Sequence, residues 1–397
     1  MCKHVEKILH HQRDILAPKA VEEVETAIRE VRETIQSKAG KDALQQQMAN
    51  LEGAANKWVK PYPNAAWREN VEVLLVALAV ALGIRTFFLQ PFKIPTGSMQ
   101  PTLFGVNSLP DFASVRSEEG FIEQTKLRAA MEIPTGLERV KQWFQGASYV
   151  HVVAESEGVL ESVSAPSRLL IFNTKQTLRV GGVSYTIWLP PDYGSQTLEQ
   201  RSGLRPGQMF HKGEDIVKLR VNAGDHLFVD RLTYNFCPPS RGQIVVFETK
   251  AIPEERRVTS NWNIPDDQFY IKRLVGLGGE SIQLGDDRHL VIDGKRLDAT
   301  TPHFENVYGF DPKSPPHDSQ FSGHVSAKTS GQPIPIFKDG TTSYQIPEGN
   351  VMVMGDNSMN SLDSRFWGDF PATGIIGRAF SVYWPITDRF GWNCLVH

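Results

Sequence analysis

One apolar run, Val73 to Ile84 (VLLVALAVALGI), constrains this chain more than any other feature. It carries no charge and only one glycine. Extended across Arg85 to Phe87, Phe88 and Leu89, it reaches roughly the 20 residues that a tilted membrane helix needs. The alternative is a buried helix of a soluble core, because the unbroken run alone is short. The favoured reading is a membrane span over 67–90, with Arg85 snorkelling towards the interface. About seventy residues precede the run, which argues against a cleaved signal peptide. Lys57, Lys60 and Arg68 lie just before it, whereas Lys93 is followed by nothing basic until Arg116. The positive-inside rule therefore predicts a cytoplasmic N-terminus and a C-terminal body outside the cytosol.

Composition limits the remainder. The 397 residues are 40% hydrophobic and 22% charged, which is globular and excludes wholesale disorder or a collagen-like fibre. The length allows about two or three units with their own cores. Lys and Arg number 42 against 45 Asp and Glu, for a net charge of -3, so charge gives no reason to expect a nucleic acid partner. Three cysteines, Cys2, Cys237 and Cys394, cannot make a disulfide framework, although a Cys237–Cys394 bridge is open outside the cytosol. No HExxH or zinc-spaced His/Cys cluster occurs, so neither a metal nor any other cofactor is expected.

Residues 1–66 read as a cytoplasmic helical region. Val21, Val24, Ile28, Val31 and Ile35 alternate spacings of three and four, an a/d seam about two heptads long. Gly40 ends it, and Asp42 is read as the cap of a second helix carrying Leu44, Met48 and Leu51. A helical hairpin is favoured over a dimerisation zipper. Beyond the span, short segments rich in β-branched and aromatic residues, such as Ile244–Phe247 and Val351–Met354, alternate with Gly, Pro and Asp turns. The body is therefore expected to be mainly β. Within it, 91–105, 223–298 and 346–397 are read as core. Residues 106–222 are read as an insertion, helical and then stranded. Residues 299–345, dense in Pro, Ser, His and Gly, are read as a long surface loop.

Three polar segments can carry chemistry. In Ile94-Pro-Thr-Gly-Ser98-Met-Gln-Pro, a serine behind a glycine and between two prolines sits on a stiff, open turn, unless that turn is merely exposed. In Tyr270-Ile-Lys272-Arg273-Leu-Val, a lysine lies inside an apolar strand. Desolvation lowers a lysine pKa by up to ~3–5 units, and a neutral amine can take a proton from a serine hydroxyl. Strand alternation sends Lys272 and Arg273 to opposite faces, so one of them at most faces a site; the plainer reading is two basic residues on an edge strand. In Gly355-Asp-Asn-Ser-Met-Asn-Ser361-Leu-Asp363-Ser-Arg365, Asp363 and Arg365 can pair and Ser361 can hold a lysine amine, unless this is only a structural turn.

Together these segments resemble the bacterial type I signal peptidases, or leader peptidases. The resemblance is carried by IPTGSMQPTL (94–103), GDHLFVDRLTY (224–234), RGQIVVF (241–247), YIKRLVGLGGE (270–280), IPEGNVMVMGDNSMNSLDSR (346–365) and GRAFSVYWP (377–385). It covers the span and about half of the rest. It implies a membrane-anchored all-β catalytic body with one N-terminal transmembrane helix, in the bacterial cytoplasmic (inner) membrane. It also implies a serine endopeptidase that uses a Ser-Lys dyad to cut signal peptides from exported precursor proteins. Ser98 would be the nucleophile and Lys272 the general base, with Ser361 orienting the amine. The Ser98 N–H and the Thr96 hydroxyl would form the oxyanion hole, and Asp363 and Arg365 would brace the loop. Phe92, Ile94, Pro95, Met99, Leu103, Tyr270 and Ile271 would line a shallow substrate cleft suited to Ala-like side chains. The partners implied are signal-peptide-bearing precursors and the lipid bilayer.

Gly278 and Glu280 stand where relatives usually have Pro and Asp, and far more residues separate nucleophile and base than is usual. Two other Ser-Lys designs fit less well. Penicillin-binding enzymes place the lysine three residues after the serine, where this chain has Pro101. Repressor autopeptidases would lack the span. A catalytically silent anchored scaffold is the rival from another class, and intact Ser98, Lys272 and Ser361 argue against it.

Overall fold

The computed structural model describes residues 1–60, 65–170, 172–309 and 323–392. Cys394, one half of the bridge considered above, lies outside them. The chain divides into two units, Met1–Val80 and Ala81–His397.

The first unit is helical: α1 (Cys2–Gln12), α2 (Pro18–Gln36), α3 (Lys41–Trp58) and the start of α4 (Ala65–Phe87). Pro18 opens α2, where its missing N–H costs nothing. Val21, Val24, Ile28 and Val31 are buried against Val5 and Leu9 of α1 and Leu51 of α3. The seam is thus consumed inside one chain, by three helices rather than a hairpin. Its last member, Ile35, is exposed, as is Met48. The residue that caps α3 is Gly40. Asp42 lies in the first turn, where its charge faces the positive helix end instead.

In α4 the stretch Trp67–Phe87 has a mean hydropathy of 1.8 and no part of it is buried within the protein. Those 21 residues rise about 31 Å, the thickness of a bilayer's hydrocarbon. The buried-core reading of this helix is therefore excluded. The helix stops at Phe87, three residues short of the expected 90, because Leu89–Lys93 joins a sheet.

The second unit is mainly β. Its central sheet is antiparallel, in the order Leu89–Lys93, His226–Asp230, Ile375–Trp384, Ile244–Glu248, Phe269–Leu277, Asn350–Met354 and Phe370–Pro371. The Phe269–Leu277 strand is internal in the sheet order, but its two neighbours overlap only at Arg273: Lys272 pairs with Val245 on one side, and pairing with Asn350–Met354 begins at Arg273. Residues 106–222 form helices α5 (Glu118–Ala130) and α6 (Gly136–Phe144), broken at Pro134, and then strands around a core of their own that includes Leu178, Leu198, Phe210 and Leu219. The described parts of 299–345 are not a surface loop. Phe304, Val307, Tyr308 and Phe337 are buried with Met352 and Met354 of the central sheet. Their apolar residues, such as Phe304, Val307-Tyr308 and Ile336-Phe337, are scattered among polar residues and prolines with no helical or strand period.

Close backbone approach fixes the entry to the nucleophile segment. A Cβ on Gly224 would fall 1.9 Å from the Ile94 carbonyl oxygen, whereas one on Gly53, inside α3, would meet nothing within 4 Å. Gly224→Ala should destabilise the chain by about 1–3 kcal/mol. Gly53→Ala should stabilise it by about 0.5–1 kcal/mol through helix propensity. Urea unfolding of the full chain in detergent reads both shifts.

Candidate active site

The turn bearing Ser98 is held at both ends by one buried residue, Asp225. Asp225 accepts the Ile94 N–H on its carbonyl at 2.9 Å and donates its own N–H to the Phe104 carbonyl at 2.8 Å. Its carboxylate accepts the Phe104 N–H at 2.7 Å and two bonds from Arg389, each 2.9 Å. Ile94, Met99 and Leu103 point into the core beneath the turn. Phe92, Tyr270 and Ile271 are half-buried, Phe92 edge-to-face with Phe269, while Pro95 and Thr96 are exposed.

The central strand delivers Lys272 to this turn. Its Nζ donates to Ser98 Oγ at 2.7 Å, across 174 residues of sequence, and both residues are about 5% exposed. Burial pushes the amine down from its ordinary 10.5 to about 8. The nearby Arg365 charge acts in the same direction, and Asp363 and Asp356 oppose it. The next side chain, Arg273, goes to a different set of partners. It makes a two-pronged pair with Asp356 at 2.7 and 2.6 Å and donates to Gly242 O at 2.7 Å and Thr102 Oγ1 at 3.2 Å.

The third segment locks onto the first. Asn357 donates its backbone N–H to Ser98 O and its side-chain Nδ2 to Gly97 O, each at 3.0 Å, and Thr102 Oγ1 donates to Asp356 at 2.6 Å. Asp363 and Arg365 are fully buried and paired at 2.9 Å, and Arg365 also donates to the carbonyls of Val325, Ser358 and Ser361. Burial alone would raise the Asp363 carboxyl, but the Arg365 charge and its hydrogen bonds outweigh that and hold it below the ordinary range.

Ser361 is brought to the site, yet the expected bond from its hydroxyl to Lys272 is not formed. Its Oγ is buried without a well-formed hydrogen bond, although it lies near enough to Asp363 to help hold that carboxyl down. A Cβ on Gly355 would fall 2.2 Å from Ser361 Oγ and 2.5 Å from Ser98 O, so only glycine lets these two segments meet. The sequence reading did not assign roles to Thr102, Asp225, Asp356 and Asn357. One signal was available: Arg273 in an apolar strand needs an acid, and Asp356 opens the next polar loop. Among the described residues, no group of three His, Cys, Asp or Glu side chains is placed to hold a metal ion.

Residues 67–109 and 217–384, more than half of the chain, match the family model described as signal peptidase, peptidase S26. The signal peptidase I of Leptolyngbya laminosa is 34% identical over 174 residues, 44% of this chain and 65% of that protein. The probable signal peptidase I-2 of a Synechocystis strain is 27% identical over 168 residues, 42% of this chain and 58% of that one. The matches thus span under two thirds of these curated relatives. A crystal structure of a signal peptidase I from Enterococcus faecalis is similar at 24% identity, over 36% of this chain and 97% of that chain, with a TM-score of 0.22.

The depressed lysine has a thermodynamic signature. Between a folded value near 8 and an unfolded value near 10.5, the unfolded chain binds more protons, so stability rises with pH across that window. Below it, the buried ammonium costs the fold on the order of 3 kcal/mol. Lys272→Met removes this titration. The stability of the parent relative to that variant should therefore climb by about this amount from pH 7 to 10.5, as read by chemical unfolding at a series of pH values.

Proposed function

The chain belongs to the signal peptidase, peptidase S26, family, and on that footing we propose that it is a membrane-bound serine endopeptidase that removes N-terminal signal peptides from exported precursor proteins. One observation carries the reading: Lys272 Nζ and Ser98 Oγ lie 2.7 Å apart in a water-poor site, with the amine pushed down to about 8. A silent scaffold has no use for an unpaired buried amine that costs stability.

With the amine neutral, the Ser98 O–H donates to the Nζ lone pair. Lys272 then takes the proton as Oγ bonds to the scissile carbonyl carbon. The Ser98 N–H and the Thr96 hydroxyl, on the same turn, receive the developing oxyanion. Each such donor is typically worth about 100- to 1000-fold in rate. As the C–N bond breaks, the Lys272 ammonium gives its proton to the leaving amine. The amine, neutral again, takes a proton from water. The resulting hydroxide attacks the acyl carbon, and as the ester C–O bond breaks the Lys272 ammonium gives its proton to Ser98 Oγ, restoring both groups. Ser361, with an unspent hydrogen-bonding hydroxyl, is the group suited to hold Lys272 once Ser98 becomes acylated. Phe92, Tyr270 and Ile271 supply apolar contact for small substrate side chains.

In this reading α4 crosses the bacterial cytoplasmic membrane, with residues 1–66 in the cytoplasm and the β body outside. Tethering the body a few residues from a bilayer raises the effective concentration of membrane-held precursors.

Purified full-length protein should cut a preprotein after a small residue, and Ser98→Ala and Lys272→Ala should each abolish cutting while the fold survives. Because the base works unprotonated, kcat/KM should rise with pH through an apparent pKa of about 8 and fall away below it. Full activity in Lys272→Ala would end the dyad reading. Protease added to spheroplasts should digest the β body and spare residues 1–66; protection of the body would reverse the topology.

A further inference from the structure

The segment outside the family match, residues 110–216, carries an apolar surface that the proposed reaction does not use. In α6, Leu137, Val140 and Trp143 recur every three residues on one stripe and are 88%, 53% and 54% exposed. The covered side of the helix is polar, for half-buried Gln142 accepts the Tyr149 hydroxyl of the Ala147–Val153 strand. The helix is therefore seated polar side in and apolar side out, the reverse of what burial drives in water.

Across a groove lined by Arg139 and Trp143 stand Trp188 and Leu189, 73% and 75% exposed. The Leu189 N–H donates to Thr174 O at 3.0 Å, which ties this corner to the hairpin whose tip carries Leu170, 90% exposed. Leu170 and Leu189 have φ of +56° and +51°, in the left-handed region that disfavours leucine. The backbone thus bears a conformational cost at two of the residues it leaves most exposed.

A path of neighbouring residues leads from this surface to the strand that follows α4. The Trp143 ring lies 6.5 Å from that of Trp384, which pairs with His226, which pairs in turn with Lys93. Lys93 ends the strand that follows α4 and lies six residues after Phe87, at most about 20 Å of chain. Leu, Val and Trp on one stripe, with Arg139 and Lys141 beside them, are the makeup of a helix lying in a bilayer interface. We propose that α6 and the Trp188–Leu189 corner dock in the headgroup layer of the bilayer that α4 crosses, giving the body a second, non-spanning membrane contact. This rests on the reading of α4 as a span.

The test uses the full chain with Cys2→Ser, Cys237→Ser and Cys394→Ser, reconstituted in phosphatidylethanolamine–phosphatidylglycerol vesicles. An environment-sensitive dye is placed on Val140→Cys, on Leu78→Cys within α4, or on Ser184→Cys at the far end of the strand that bears Trp188. A lipid with a nitroxide on its acyl chain should remove about half or more of the emission at Val140 and at Leu78, and little at Ser184. Quenching at Leu78 but not at Val140 would overturn the second contact and leave the anchor standing. Quenching at neither position would remove the anchor, and the inference with it. An unquenched, blue-shifted signal at Val140 that fades as the protein is diluted would assign the surface to a second copy of this chain and overturn bilayer docking.

Discussion

A lysine amine held out of water beside a serine hydroxyl is the constraint that the second unit is arranged to meet. An ammonium in an apolar interior costs several kcal/mol unless it is paired, and among the described residues no carboxylate lies within salt-bridge reach of Lys272. The cost is kept bearable by a shift in protonation rather than by an ion pair. That solution works only if the site is dry and rigid. It is rigid because the strand bearing Lys272 is paired on one edge through Phe269–Arg273 and on the other from Arg273 to Leu277, and dry because Ile94, Met99 and Leu103 fill the space beneath the turn.

Two other charged pairs show what a paired buried charge looks like here. Arg273 with Asp356, and Arg365 with Asp363, are both buried and both two-pronged; Arg365 spends its remaining donors on backbone carbonyls, and Arg273 on Gly242 O and the Thr102 hydroxyl. Such pairs add little net stability over apolar residues of the same shape, but losing one partner costs about 3–5 kcal/mol. They act as clamps that fix geometry. Asp356 joins the strand of Lys272 to Thr102, and its neighbour Asn357 grips Ser98 and Gly97 through backbone groups. The distance between amine and hydroxyl is thus set by side chains that touch neither atom.

Much of this was legible in the chain itself. The polar segments around Ser98, Lys272 and Ser361 stood out because each breaks an apolar or stranded context, and the fold does bring them together. The α2 seam, the break at Pro134 and the strand-rich texture of 147–222 followed from period and punctuation alone. What could not be read were contacts whose partners lie far apart with no periodic signal. Asp225 gathers Ile94, Phe104 and Arg389, and Phe304 and Phe337 enter the core from a stretch that looks like loop.

The long insertion is compatible with so exacting a site because of where it leaves and rejoins the core. Asn107 and Asn222, at its two ends, are direct cross-strand partners, and their side chains bond at 2.7 Å. A loop whose ends already meet costs only slowly more entropy as it lengthens. The inserted residues have a core of their own, so their folding makes few demands on the central sheet. They nevertheless return to brace the nucleophile segment. Lys93 pairs with Asp192, and a Cβ on Gly194 would crowd the Pro95 carbonyl at 2.9 Å. These contacts bear on the rim of the turn and not on its reacting atoms. An insertion joined in this way can change what approaches Ser98 while leaving the Lys272–Ser98 distance to the sheet beneath.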